Sequence, residues 1–271
     1  MDLFHGALVL VAGLWAGTIN AVVGSGTLVT FPVLVALGYA PVAATISNAM
    51  GLIAGNLAGS WGYRRELAGL KTTLLKLLPA SVLGGITGAA LLLHLPESVF
   101  GTVAPYLVVV ALLFVVFQPK LQAWVRRRAE LPGQVPAVAG GPAMPAVPAK
   151  PPRRQSVILV ILIYLAGVYG GYFVAAQGIL LVGILGIFLH GSIQNANAMK
   201  NILVLGVNIV AAVSYLIFAF DRIVWPVVAL IAVSSLIGGF LGAAVGRRLS
   251  PVVLRTVIVL LGLLTLWNMV F

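Results

Sequence analysis

Gly24-Ser25-Gly26-Thr27 interrupts an apolar run about where a helix would otherwise cross the interior of a membrane. Ala176-Gln177-Gly178 repeats that interruption, with fewer glycines, half a chain later. Irregular polar backbone at that depth survives only where protein buries it or where it lines a cavity. The two interruptions are therefore the first candidates for a binding site, and the rest of the chain is read outward from them.

Composition decides the class of protein. Hydrophobic residues make up 61% of the 271 positions and charged residues 8%, the mean hydropathy is +1.14, and apolar runs of membrane-spanning length recur along the chain. The expectation is an all-α, polytopic protein of a lipid bilayer, in the cytoplasmic (inner) membrane of a bacterium. The net charge of +11 does not point to nucleic acid, because the basic residues stand singly or in small clusters between apolar runs. The absence of cysteine removes disulfides, thiolate metal sites and thiol nucleophiles. Neither metal nor cofactor is expected. Met1-Asp2-Leu3-Phe4-His5 lacks the positive start of a cleavable signal, so the first apolar run is read as retained.

Apolar segments fall near 6–23, 27–38, 42–63, 72–93 and 99–118, then near 156–176, 178–190, 195–219, 223–246 and 251–271. The second member of each group is too short to cross a ~30 Å hydrocarbon core, which takes roughly 20 helical residues. The organisation expected is a first membrane repeat over 1–118, a flexible linker over 119–155 and a second repeat over 156–271. The linker holds eight of the fifteen prolines and the cations Arg126, Arg127, Arg128, Lys150, Arg153 and Arg154. That the halves are repeats rests on alignment of Gly84-Gly85-Ile86-Thr87-Gly88-Ala89-Ala90 with Gly238-Gly239-Phe240-Leu241-Gly242-Ala243-Ala244, with Asn48 falling on Asn201 at nearly the same offset. The Gly-x-x-x-Gly pairs are read as close helix packing.

Charge orients the halves. Arg64, Arg65, Lys71 and Lys76 mark the loop after the third segment as cytoplasmic and place the connection at 94–98 outside. Arg247, Arg248 and Arg255 mark the loop after the ninth as cytoplasmic, with the Asp221-Arg222 turn outside. The pattern flips between halves, which predicts two inverted-topology repeats, a cytoplasmic linker and both termini outside. Inverted repeats with interrupted helices at corresponding places are the marks of a secondary transporter.

These residues carry a resemblance. Ala16-Gly17 through the Gly24/Gly26 interruption, Pro32, Ala44-Thr45 and Asn48, then Val168-Tyr169-Gly170-Gly171-Tyr172, Gln177-Gly178 and Asn197-Ala198-Met199-Lys200-Asn201, resemble the TauE/SafE sulfite-exporter family. The resemblance covers nearly the whole chain outside 119–155. It implies two related membrane halves and transport of sulfite, organosulfonates or related small anions. The first interruption here has fewer glycines than is usual in that family, and the second keeps one.

The candidate substrate-binding residues are Gly24, Ser25, Gly26, Thr27, Thr45, Asn48, Gln177, Gly178, Asn197, Lys200 and Asn201. Lys200 lies about six residues into an apolar segment, where uncompensated burial costs ~2.5–3.5 kcal/mol on insertion scales. It either attracts an anion or snorkels to the headgroups. Gln194, Asn197, Asn201 and Asn208 follow one another at spacings of three, four and seven, forming a polar stripe that binds substrate or joins helices. Ser25, Thr27 and Gln177 either present hydroxyl, amide and backbone N–H groups to an anionic oxygen at the starts of half-helices or belong to kinks satisfied by neighbouring helices.

Asp2, Glu66, Glu97, Glu130 and Asp221 all sit in or beside loops. No carboxylate is embedded, which disfavours a metal-cation carrier and a carboxylate proton relay. His5, His94 and His190 fall at segment ends without metal-ligand spacing. With no HExxH, no GxSxG and no embedded acid–base pair, an enzyme is not expected. The leading expectation is a secondary transporter, working as an exporter, of a small sulfur-containing anion by alternating access at a midplane site. The alternative is a channel-like pore for anions or small solutes. Lys200 and His190 are the titratable groups left to couple protons to transport.

Overall fold

Hydrophobic segments separated by short polar turns dictate helices joined end to end, and the computed structural model shows them. It describes residues 2–67, 69–130, 153–189, 193–245 and 251–270. The helices are α1 (Leu3–Val22), α2 (Thr27–Ala36), α3 (Pro41–Gly62), α4 (Lys71–His94), α5 (Glu97–Glu130), α6 (Arg153–Tyr172), α7 (Gln177–Phe188), α8 (Ile193–Phe218), α9 (Trp225–Val245) and α10 (Pro251–Val270). Among the described residues there is no strand. Six helices among the described residues are long and apolar enough to cross a membrane, and the chain is a multi-pass integral membrane protein. At ~1.5 Å per residue, α2 and α7, with ten and twelve residues, reach only about half of the ~30 Å hydrocarbon core.

Local chemistry sets the helix ends. The Asp2 carboxylate caps α1 by accepting from the His5 N–H at 2.8 Å. Gly38, at φ +85°, ends α2: its N–H donates to the Val35 carbonyl and that of Tyr39 to the Leu34 carbonyl, satisfying two carbonyls that the helix itself leaves free. Pro41 then starts α3 at a position where a missing N–H costs nothing. One boundary differs from expectation. Helix α5 continues to Glu130, so residues 119–130, read as the start of a flexible linker, are helical. Residues 131–152 lie outside the described residues, as do His190, Arg247 and Arg248.

Helices of one half pack on helices of the other, in matched sets. α1 lies against α9 and α6 against α4; α3 contacts α9 and α8 contacts α4; α2 meets α10 and α7 meets α5; α3 and α8 meet each other. Lipid tails are as apolar as leucine, so close fit and dispersion hold such helices together. The glycine pairs supply that fit. A Cβ on Gly242 would press on the Thr18 carbonyl of α1, and one on Gly88 would collide with the Val168 carbonyl of α6. At one end of the bundle Arg222 pairs with Glu97 at 3.4 Å. This joins the turn before α9 to the start of α5, two places that the charge pattern assigns to one side.

Candidate functional site

Both interruptions fold as expected, and they meet. The Gly178 N–H donates to the Gly24 carbonyl at 3.1 Å, and a Cβ on either glycine would strike the backbone of the other. Two half-chains therefore touch through bare backbone at the points where α1 gives way to α2 and α6 to α7.

The first turn is made by Gly24 at φ +87°. Val23 and Gly24 both donate to the Ile19 carbonyl, at 2.7 and 3.1 Å, leaving the carbonyls of Asn20 and Ala21 at the end of α1 without helical donors. Lys200 of α8 supplies one: its Nζ donates to the Asn20 carbonyl at 2.8 Å and to that of Ala21 at 3.4 Å. Its side chain is fully enclosed, with 1% exposure, which removes the snorkelling alternative. Lys200 stands seven residues after Ile193, about 10 Å along α8 from its start. Among the described residues it is the sole buried charge.

The second turn uses no glycine. Val174 and Ala176 take φ +66° and +58°, a region costly for a branched side chain. Phe173, between them and α6, is held edge-on by Phe31 at 5.5 Å and touches Phe100 at 6.1 Å. The Tyr215 hydroxyl of α8 donates to the Gly171 carbonyl at 3.2 Å, so the end of α6 is also capped from α8, here by a neutral group.

Around the crossing lie polar groups of two kinds. Some are committed to structure. Asn48 accepts from the Thr30 hydroxyl and donates to that of Thr27 at 3.1 Å, tying α3 to the start of α2. Asn20 donates to Asn56 at 2.5 Å, tying α1 to α3, and Thr45 donates to the Pro41 carbonyl of its own first turn at 2.9 Å. Others are buried and unspent: the Ser25 hydroxyl, both amide atoms of Gln177, and Nδ2 of Asn201 have no hydrogen-bond partner. Such groups cost roughly 1–3 kcal/mol each when left so. Gln177 lies flat over Gly170, where a Cβ would overlap its carboxamide. The Asn201 amide faces Gly59 of α3, next to Ala21.

Of the expected site residues, the structure brings together Gly24, Ser25, Gly26, Thr27, Gln177, Gly178, Lys200 and Asn201, with Asn48 bracing Thr27. It sets Thr45 on a backbone carbonyl and Asn197 half-buried, a turn nearer the start of α8. Sequence reasoning missed Asn20, Thr30 and Asn56. A signal for Asn56 existed, since it continues the face of Asn48 eight residues on. Asn20 stands four residues before Gly24, where the end of α1 needs polar company. Nothing local marks Thr30.

The model of the family described as sulfite exporter TauE/SafE matches residues 9–269. The chain is 26% identical over 248 residues to the probable membrane transporter protein YfcA of Escherichia coli K12, spanning 91% of this chain and 81% of the relative. It is 22% identical over 267 residues to a probable membrane transporter protein of Haemophilus influenzae, spanning 98% and 94%. No solved structure matches the chain.

Proposed function

The chain belongs to the sulfite exporter TauE/SafE family, a family of membrane transporters and not of enzymes, and from that premise we propose that it carries a small sulfur-containing anion, such as sulfite or an organosulfonate, outward across a bacterial inner membrane. The observation that carries the reading is Lys200: a buried cation with no carboxylate beside it, at a crossing where Ser25, Gln177 and Asn201 hold unspent hydrogen-bonding groups. In a low dielectric a positive charge that meets only neutral carbonyls still attracts an anion strongly. Unspent donors beside it give the oxygens of a sulfite or sulfonate something to bind, and the N-terminal turns of α2 and α7 add partial positive charge. With the cell interior negative, a departing monoanion gains ~2.3 kcal/mol per 100 mV, enough to drive export unaided.

Alternating access is the mechanism proposed. The direct Gly24–Gly178 backbone contact supports it, because a solute passing this level must part the halves. The matched pairings of α1 with α9 and α6 with α4 support two repeats, 1–118 and 156–271, inserted in opposite senses and joined by a cytoplasmic 119–155. Proteoliposomes holding purified protein under an imposed potential, without a pH gradient, test the reading. Saturable movement of sulfite or a sulfonate in preference to acetate is expected. Flux that never saturates and does not discriminate among anions would replace a carrier by a pore.

A further inference from the structure

The carbonyls that receive Lys200 have a chemistry of their own. The last carbonyls of a helix point outward with partial negative charge, and the ends of interrupted helices are places where transporters coordinate small cations. We propose that the carbonyls of Asn20 and Ala21 form a monovalent-cation site at the end of α1, and that the Lys200 ammonium is a tethered cation permanently filling it.

Three observations carry this. The Nζ atom reaches both carbonyls, at 2.8 and 3.4 Å, from another helix 180 residues away, and its stem runs beside Gly24, where an added Cβ would come within 3.1 Å of Cδ. The ion pairs shown among the described residues, Asp2–His5 and Glu97–Arg222, are at exposed positions, so the compensation for burying Lys200 comes from backbone carbonyls. At the related place on α6 the Gly171 carbonyl takes a neutral donor, Tyr215. An interrupted helix in this fold is therefore closed without charge on one side, and the cation at α1 answers to the carbonyl geometry there. In consequence the transport cycle does not load and release a sodium ion at this position.

The test removes the tether and offers the cation free. Purified full-length Lys200→Ala is heated in sodium, methylammonium or tetramethylammonium chloride at equal ionic strength, beside the parent and Lys200→Arg. The truncated variant should melt several degrees higher, saturably, in sodium or methylammonium than in tetramethylammonium, which is too large and has no N–H. The parent and Lys200→Arg should melt alike in all three. Equal melting of Lys200→Ala in the three salts overturns the proposal, as does the same sodium-dependent rise in the parent. Lys200→Ser provides a second truncation with a hydroxyl for the carbonyls. If neither variant folds with methylammonium present from solubilisation onward, the site does not accept an untethered cation and the proposal also fails. The readout is stability, so it stands or falls separately from which anion is carried.

Discussion

The turn between α1 and α2 is made by Gly24 at φ +87° and closed by a lysine, whereas the turn between α6 and α7 is made by Val174 and Ala176 at φ +66° and +58° and closed by a tyrosine. Both caps come from α8. An interruption of four residues is thus made with relaxed chemistry on one side and strained chemistry on the other. The two halves supply two touching interruptions, while Lys200, the single buried charge among the described residues, closes only the first. On the proposed function, one charge offset against neutral amides and hydroxyls gives an attraction that a modest rearrangement can weaken.

Charge is the sharpest part of that contrast. Lys200→Met should lower anion affinity about 100-fold, roughly 2.7 kcal/mol, while Tyr215→Phe should change it less than about threefold, because a neutral cap contributes no field. Equilibrium binding of radiolabelled sulfite or a sulfonate to purified protein measures both. Equal losses would show that the two caps serve packing alone.

Backbone conformation comes next. Gly24→Ala should destabilise by about 2–4 kcal/mol, since left-handed backbone costs an L-residue ~1–2 kcal/mol and the new Cβ strikes Gly178. A chemical-denaturation midpoint at or above the parent's would mean that the two interruptions need not touch. Asn48→Ala orphans the Thr27 and Thr30 hydroxyls and should cost about 1–3 kcal/mol by the same assay. An unchanged midpoint would show that the α2–α3 tie carries no weight. The smallest effect has the opposite sign: Ala176→Gly should stabilise by about 0.5–1 kcal/mol, because relief of left-handed strain exceeds the added entropy of glycine. Destabilisation there would place the strain elsewhere in the turn.

Much of the architecture was legible in the residues. The third segment, read as 42–63, is helix Pro41–Gly62, and the short second members of both groups are the half-length helices α2 and α7. This worked because twenty apolar residues in lipid have one way to satisfy their backbone. The error at 119–130 has a simple cause. The prolines that characterise the stretch are concentrated from Pro132 onward, and averaging over 119–155 concealed the helix formers between Lys120 and Glu130.

What the sequence by itself determined is therefore the class, the succession of the described helices and the length of most of them but not of α5, the two places where they break, and the presence of one lysine within an apolar run, since each of these follows from local composition against the thickness of a bilayer. Whether Lys200 snorkelled or was enclosed, that Asn20 and Ala21 receive it, that Gly24 touches Gly178, and that Val174 and Ala176 take a conformation they do not favour were decided only by the tertiary structure. Those facts depend on partners up to 180 residues apart in sequence. The directions of carbonyls at a helix end are set by the helices packed around it, and no local pattern of residues encodes them.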